Sequence, residues 1–519
     1  MGFAAAALGN HEFDWGEAGL VRMLDAAEKP TVPLLASNIH FNPDSPDDDA
    51  LEAYYGQPGE SGKSIYPYVV VTTSGGVKVG LLGLMGLEAE AVSNAKTVSF
   101  SRNMDEMATD VQKIVNMLRN DEKVDLVVAL AHLGITDPVS PAGESIDLAR
   151  KTQGIDVILS GHTHTRTPTA LAVASQAEPS WTTYVTEAGS YGRFLGKVVV
   201  ARTNGKIVIN GETVPIDDSL QADAAVETQI VGLIEDVEQT LLAPLAQKPG
   251  ALLNGSFHQV LSHSDADLVR RDFENGNLGY MVADAMRQAS GATLAFASNG
   301  GDLRATLPLT GSGGFDLQDA FIVTPLGTGP DGQVGYPLVK FYLSWFEIQL
   351  LMEATICDRG LENNDYMINV SGLRAIVDTT KAGTYACVQK IYTYLQLDES
   401  DAVPGVLVFD ASLPDAEKFP EGRNTLVEVC TSWYIADQMT RFNVYPKDSS
   451  GNQITLEQAL VTDGGDEVKL WQAFTSFLAA SDPVPALYND NEADNPAGPY
   501  WRRVWDIATH SCGGHSYCQ

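Results

Sequence analysis

Residues 126–134 (LVVALAHLG) and 157–164 (VILSGHTH) each begin with an apolar run, and each contains histidine directly after that run or within the next few residues. Near-continuous apolar runs of this length are typical of buried central strands in a parallel sheet. Because binding residues in α/β sheets gather at the carboxyl ends of parallel strands, His132, His162 and His164 are expected at one sheet edge. These two runs therefore predict an α/β fold with a polar site at the ends of its strands.

A third polar segment lies near the start of the chain, at residues 9–14 (GNHEFD), between a predicted strand at 4–8 and a helical pattern. The carbonyl of Asn10 is a hard oxygen ligand, His11 can bind metal or transfer a proton, and Asp14 can orient a histidine. Asn and Asp are also common turn and cap residues, so this segment alone is ambiguous. Together with the three later histidines, however, it forms a donor set suited to zinc, manganese or iron.

Length and charge limit the classes of function. The 519 residues suggest two to four domains, and 44% hydrophobic residues are ordinary for a folded protein. A formal net charge of −34 disfavours binding to nucleic acid or to an anionic membrane through a basic surface. No apolar run approaches the roughly 20 residues of a membrane span. Residues 1–8 lack the basic region of a secretory signal, so no signal peptide is expected in this sequence.

The pattern of strands and helices divides the chain in two. Alternating strand and helix patterns extend to about residue 216, including a predicted hairpin at 198–203 and 206–209 around Asn204-Gly205. One helical pattern covers 219–243, and a second α/β pattern begins near 252. The predicted divisions are 1–218, a linker at 219–251, and 252–519.

The five cysteines fit no zinc ribbon or finger, because their number is odd and their spacing is wide. Cys357 with Cys387, and Cys512 with Cys518, would be able to pair in an exported protein. The alternative is five reduced thiols, and the sequence leaves both interpretations open.

The segments GNHEFD, AHLG and SGHTH, in this order, resemble the motifs of the calcineurin-like dinuclear metallophosphatases. Residues 278–286 (LGYMVADAM), 299–308 (NGGDLRATLP) and 369–374 (NVSGLR) resemble the C-terminal domain of 5′-nucleotidases. The resemblance implies an α/β (α+β) architecture. Its first part is an N-terminally incomplete four-layer αββα metallophosphatase sandwich, and a separate α/β substrate-binding domain follows. The implied activity is metal-dependent hydrolysis of phosphate from nucleoside monophosphates or related nucleotides.

The same resemblance implies roles in catalysis. Asn10, His132 and His162 would hold one divalent metal ion of the Zn, Mn, Fe, Co or Mg type, and His164 would hold a second. His11 would be the catalytic histidine, with Asp14 as its partner. Two such metals polarise a phosphoryl group and activate water for attack on phosphorus.

Nucleotide binding is expected in the second half. By resemblance, Asn299 contacts the nucleoside and Arg304 binds the substrate; a second arginine is assigned to Arg271, although Glu274 occupies the matching ungapped position. One half of the usual aromatic clamp falls at Leu326, which cannot offer π-stacking, and the other falls at Tyr434, beside Trp433. The alternative for this aromatic pair is core packing.

The family's first two motifs, Asp-x-His and Gly-Asp, would precede Gly9, where this sequence has eight residues. At most one well-ligated metal site and impaired turnover are therefore expected. We favour a truncated form of a normal enzyme over a short form that binds without turnover. Other candidate functions are an inactive nucleotide- or partner-binding protein, and an esterase of the same fold for cyclic nucleotides or nucleotide sugars. Family membership implies a periplasmic, secreted or cell-surface protein.

Overall fold

The structure is a computed structural model that describes residues 2–26, 32–203, 206–217, 219–248, 250–264, 268–270, 277–307, 314–358, 367–393, 405–485, 488 and 504–506. The chain divides into two compact units, Met1–Asp223 and Ala224–Gln519. The three-part division expected from the sequence stays a prediction. Among the described residues, none of the helices is both long and apolar enough to span a bilayer.

The N-terminal unit is built from eleven described strands and five described α-helices. Strands β1 to β11 are Ala6–Ala7, Leu34–Leu35, Ile65–Tyr66, Tyr68–Thr72, Lys78–Met85, Leu126–His132, Val157–Ser160, Leu171–Ala174, Thr182–Glu187, Phe194–Thr203 and Lys206–Pro215. Helices α1 to α5 are Gly16–Ala26, Asp49–Glu52, Leu87–Val92, Met104–Asn120 and Glu144–Lys151, and a 3₁₀ helix covers Asn10–Phe13.

Two sheets form the centre of this unit. The larger has the order β4-β5-β6-β7-β9-β8, with β5, β6, β7 and β9 parallel to one another, and the smaller is the parallel sheet β1-β2-β3. Leu35 of the small sheet packs with Val69 and Leu81 of the large sheet, so the two sheets face each other. Leu20 of α1 packs on the small sheet's side, and α4 and α5 pack on the large sheet's side. The predicted αββα layering is confirmed.

Helix α4 shows why the outer layer forms where it does. The side chain of Asn103 caps the helix by accepting hydrogen bonds from the backbone N–H groups of Asp105 and Glu106, at 3.1 and 2.9 Å. Met107, Val111, Val115 and Leu118 then recur at helical spacing and are all buried. The apolar stripe therefore fixes which side of α4 faces the sheet.

Strand β1 and the hairpin β10–β11 differ in length from the sequence-based expectation. The strand expected at 4–8 is reduced to Ala6–Ala7, while the hairpin β10–β11 is longer than predicted. Gly211 of the hairpin lies against Ala170: a Cβ at 211 would be 2.7 Å from the Ala170 side chain. The predicted Asn204-Gly205 turn lies outside the described residues.

The C-terminal unit contains twelve described strands and seven described α-helices. Strands β12 to β23 are Val260–His263, Leu294–Ser298, Gly314–Asp316, Leu338–Ser344, Ile368–Ser371, Leu373–Val377, Val388–Thr393, Val406–Asp410, Leu426–Ser432, Thr462–Asp463, Asp466–Glu467 and Val504–Asp506. Helices α6 to α12 are Ala224–Val237, Ala243–Ala246, Asn277–Ser290, Leu317–Val323, Trp345–Met352, Trp433–Met439 and Leu470–Ala480.

Two four-stranded sheets organise this unit, in the orders β15-β20-β13-β16 and β19-β18-β17-β23. Within the first, β13 and β20 are parallel, so their carboxyl ends lie side by side. Phe296 and Val429 of this sheet share a buried cluster with Ile391 and Val408 of the second sheet. Helices α8 and α12 contribute to a separate buried cluster through Met281, Phe474 and their neighbours.

The helix predicted over 219–243 is only partly correct. The helical segment begins at Ala224, changes to a π-helix at Glu238–Leu242, and continues as α7 beyond Pro244. Pro244 lies in the first turn of α7, directly after the π-helical turn.

A disulfide joins Cys357 and Cys387, which resolves one of the two pairings left open by the sequence. Cys430 is free and buried, and burial raises the pKa of its thiol to about 12. Cys512 and Cys518 lie outside the described residues. The disulfide closes a loop of 30 residues between the end of a π-helix and the start of β18.

Replacing both Cys357 and Cys387 with serine should lower the free energy of unfolding of the C-terminal unit by about 3–4 kcal/mol, because the unfolded chain regains loop entropy. Urea unfolding would measure the loss. A Cys430→Ala variant, which removes a buried thiol but no cross-link, is the control. An unchanged unfolding midpoint in the double variant would contradict the expected contribution.

Candidate active site

The predicted ligands Asn10 and His132 meet in the structure although 122 positions separate them. His132 is the last residue of β6, and Asn10 follows β1 at the start of the 3₁₀ helix. The side-chain oxygen Oδ1 of Asn10 lies 2.8 Å from Nε2 of His132. Gly9 allows this approach, because a Cβ at residue 9 would lie 2.9 Å from the imidazole ring.

His162 and His164 lie on the loop that follows β7. Since β6 and β7 are parallel neighbours, with Ala131 opposite Ser160, the loop begins beside His132. The ring centroids of His132 and His162 are 5.0 Å apart. His164 makes an edge-on contact with Tyr191, at 5.7 Å between ring centroids. The sheet thus gathers the residues as the sequence analysis expected.

Burial and neighbouring histidines control the charge of His132. Burial is the larger cause, and the charges of His162, His11 and His164 add to it; together they lower the pKa of His132 to about 3. The imidazole is therefore neutral at physiological pH. A neutral imidazole is the form that binds metal ions.

His11 has a separate environment. Its Nδ1 lies 3.0 Å from Oδ1 of Asp14, and the side chain is 39% exposed. A carboxylate at this distance favours the tautomer with a proton on Nδ1, which fixes the ring orientation. The pair is suited to proton transfer at the other ring nitrogen.

The donor atoms fit a divalent metal site of nitrogen and oxygen ligands. Asn10 contributes an amide oxygen, and His132 and His162 contribute imidazoles, which suit zinc, manganese or iron. Among the described residues, the one group of three His, Cys, Asp or Glu ligand atoms within 4.8 Å is Glu353 with the disulfide-bonded Cys357 and Cys387. The three histidines of the predicted N-terminal site do not by themselves form such a group.

Glu187, which the sequence analysis did not single out, adjoins the histidine loop. It is the last residue of β9, it is only 1% exposed, and its carboxylate accepts a hydrogen bond from the backbone N–H of Thr165 at 3.0 Å. Its position at the end of a strand parallel to β7 is the feature that would have identified it.

A Gly9→Ala variant should weaken metal binding roughly tenfold or more, because the new methyl group displaces the His132 ring from Asn10. Gly9 has an extended backbone (φ −123°), so alanine adds no backbone strain. Titration calorimetry with Mn²⁺ would measure the change. Gly75→Ala, in an open turn, is the control. Unaltered Mn²⁺ affinity in Gly9→Ala would show that His132 is not a ligand in this position.

In the C-terminal unit, the predicted substrate loop follows β13. Asn299 is fully buried, and its side-chain oxygen accepts a hydrogen bond from Asn369 at 2.8 Å. Arg304 donates from Nη1 to the carbonyl of Gly300 at 3.0 Å, while its backbone N–H donates to the carbonyl of Val323. The loop is therefore held at both ends.

Tyr434 lies in the first turn of α11, which follows β20 directly, so it lies at the same sheet edge as the Asn299 loop. Its ring stacks on Tyr336, with centroids 5.4 Å apart and planes 23° apart. The backbone N–H of Tyr336 donates to the carbonyl of Leu326 at 2.9 Å. Tyr336 was not predicted, and it is buried, so it supports the ring of Tyr434 from behind.

Trp433 and Arg271 are the remaining predicted residues of this unit. Trp433 packs against the buried cluster, so for this residue the core-packing alternative is correct. Arg271 lies outside the described residues. Its neighbour Arg270 donates from Nη1 to the carbonyl of Leu303 at 3.2 Å.

Asp302, which stands where the family motif has glycine, is buried. Burial raises its pKa from 3.8 to about 6, although hydrogen bonds from Ser432 and from the Ser298 backbone partly oppose this. The folded unit therefore binds a proton more tightly than the unfolded chain does. The contribution of protonated Asp302 to stability is fully present below pH 3.8 and is lost as the pH rises through about 6.

An Asp302→Asn variant should lose this pH dependence and be more stable at pH 7 by about 3 kcal/mol at most, since one pKa unit corresponds to roughly 1.4 kcal/mol. Urea unfolding between pH 4 and pH 8 would measure both effects. Asp463→Asn, at an exposed position, is the control. If the wild type and Asp302→Asn have parallel stability profiles, the assigned protonation is wrong.

Part of the chain is similar in sequence to a known protein family. Residues 3–166 match the family model of calcineurin-like phosphoesterases. The chain is 29% identical over 357 residues to the trifunctional nucleotide phosphoesterase YfkN of Bacillus subtilis, covering 63% of this chain and 22% of that protein. It is 24% identical over 352 residues to protein UshA of Yersinia enterocolitica, covering 63% of this chain and 59% of that protein. The chain thus spans less than two thirds of either relative.

Among solved structures, the fold is similar to a 5′-nucleotidase precursor from Thermus thermophilus. The TM-score is 0.66 at 22% identity, and the match covers 97% of this chain and 83% of that one. At this identity the match establishes the shared two-domain fold.

Proposed function

We propose, starting from the calcineurin-like phosphoesterase domain in residues 3–166, that this protein is a metal-dependent phosphohydrolase that releases phosphate from nucleotides. Nucleoside monophosphates are the proposed substrates. The similarity to the trifunctional nucleotide phosphoesterase of Bacillus subtilis supports this substrate class.

The observation that carries the proposal is the meeting of Asn10 and His132, with His162 alongside. Asn10, after β1 of the small sheet, brings an amide oxygen beside the imidazole of His132 at the end of β6, and the imidazole of His162, after β7, lies next to that of His132. We assign these three residues to one divalent metal and His164 to a second. When bound, such metals supply Lewis acidity toward phosphoryl oxygens and generate a nucleophile at neutral pH.

The chain's own proton chemistry is assigned to His11. Asp14 accepts a hydrogen bond from Nδ1 and holds the ring, so that Nε2 is the nitrogen that carries a proton to the leaving oxygen of the ester. As an imidazolium, His11 would also stabilise negative charge on the transferring phosphoryl group.

The C-terminal unit is proposed to bind the nucleoside. Arg304 offers a polar contact from the loop that the buried Asn299 anchors, and the part-buried ring of Tyr434, backed by the buried Tyr336, offers an aromatic face at the same sheet edge. Direct contact of Asn299 with the nucleoside stays a prediction. Stacking on such a surface tolerates different bases, because every base has a π-face. Arg271 stays a prediction.

The disulfide supports an oxidising compartment. Cys357–Cys387 closes within the C-terminal unit, and such bonds persist mainly outside the cytosol. We therefore propose an exported location, in agreement with the expectation from the family.

Phosphate release from AMP, with added Mn²⁺ or Zn²⁺ and after treatment with EDTA, tests the proposal. Turnover should require metal, and His11→Ala should lower kcat by roughly 10²- to 10⁴-fold, the usual contribution of general acid–base catalysis. His263→Ala is the matched control, because His263 also has an aspartate, Asp482, at 3.0 Å from Nδ1.

Turnover that persists in EDTA, or a His11→Ala variant as active as the wild type, would refute the proposal. AMP binding without turnover in any form would identify a nucleotide-binding protein. Preferential hydrolysis of cyclic nucleotides or nucleotide sugars would identify the related esterase instead.

A further inference from the structure

The loop that carries His162 and His164 is held in an unfavourable backbone conformation. His162 has φ +96° and His164 has φ +59°, in the region that favours glycine. Residues in this region are strained and persist only where the surrounding contacts fix them. Some part of the structure must therefore hold this loop.

Glu187 makes the contacts that fix it. The carboxylate accepts hydrogen bonds from Thr163 Oγ1 at 3.1 Å and from Thr165 N–H at 3.0 Å, which lie on either side of His164. It also accepts from Ile135 N–H at 3.0 Å and from Ser160 Oγ at 3.3 Å. The side chain is buried, so water does not compete for these donors.

These four donors belong to two histidine-bearing loops. Ile135 is three residues beyond His132, and Ser160 precedes His162 by two residues. Thr163 strengthens the connection, because its Oγ1 also accepts from Ile135 N–H at 2.9 Å. Glu187 therefore ties the loops after β6 and β7 to the end of β9.

We propose that Glu187 is a positioning residue for the metal-binding histidines: its carboxylate holds the loop of His162 and His164 in register with His132. The proposal rests on the proposed function, since it assumes that these histidines bind divalent metal. It adds a residue that touches neither metal nor substrate. Outer residues of this kind typically change metal affinity by roughly 10- to 100-fold.

Cobalt(II) titration of the purified chain tests the proposal without any substrate. Visible absorption of bound Co²⁺ reports both the affinity and the ligand geometry. Glu187→Ala should weaken Co²⁺ binding roughly 10- to 100-fold and alter the spectrum. Glu187→Gln should restore part of the lost affinity, because the amide oxygen still accepts from Thr165 N–H, whereas the amide NH₂ replaces the oxygen that accepts from Ile135 N–H.

A matched control is Asp156→Ala. Asp156 is also buried in this unit and accepts hydrogen bonds from Val127 N–H and Arg119, but it precedes β7, at the opposite end from the histidines. This variant should lose stability and retain the Co²⁺ affinity of the wild type. If Glu187→Ala does not fold, Thr163→Val removes one link of the same network, with Thr163→Ser as its control.

Wild-type Co²⁺ affinity in Glu187→Ala or in Thr163→Val, or equal weakening in Asp156→Ala, would overturn the proposal, as would a wild-type chain that binds no Co²⁺. Failure of the proposed function looks different. In that case the Co²⁺ affinity is lowered in Glu187→Ala and partly recovered in Glu187→Gln, but the wild type hydrolyses no nucleotide. The positioning role is then still supported.

Discussion

The parallel pairing of β6 with β7 is the constraint on which the candidate metal site depends. In this register Ala131 lies opposite Ser160, and the backbone N–H of Gly161 donates to the carbonyl of Ala131 at 3.0 Å. The polypeptide after each strand must then emerge at the same edge. A slip of one residue would turn His132 to the other face of the sheet and separate it from Asn10.

The sequence was sufficient to predict the parts of the fold that rest on local patterns. Apolar runs followed by histidine predicted β6 and β7. The geometry of parallel sheets, in which the carboxyl ends of strands share one edge, predicted that His132 and His162 would be neighbours. The αββα layering came from a family resemblance and is confirmed by the packing of Leu35 against Leu81. The catalytic and metal-binding roles of these residues stay predictions.

The parts that sequence reasoning missed depend on contacts between distant segments. Glu187 follows no recognisable motif, and its importance arises because β9 lies next to β7 in the sheet. Tyr336 likewise becomes the partner of Tyr434 only because Gly327, at φ +79°, leaves room for its ring. Periodicity also did not predict the start of the helical segment at Ala224 or its π-helical turn, because the spacing of apolar residues does not distinguish a π-helical turn from an α-helical one.

The positive φ angles of His162 and His164 have a consequence for directed evolution. Glycine or asparagine at either position would relax the left-handed conformation and stabilise the fold, but would remove an imidazole. Selection for heat resistance in the absence of metal would therefore favour losing these histidines. A library screened only for soluble yield should drift away from SGHTH, and a screen that also requires metal binding would retain the motif if these histidines have the proposed role.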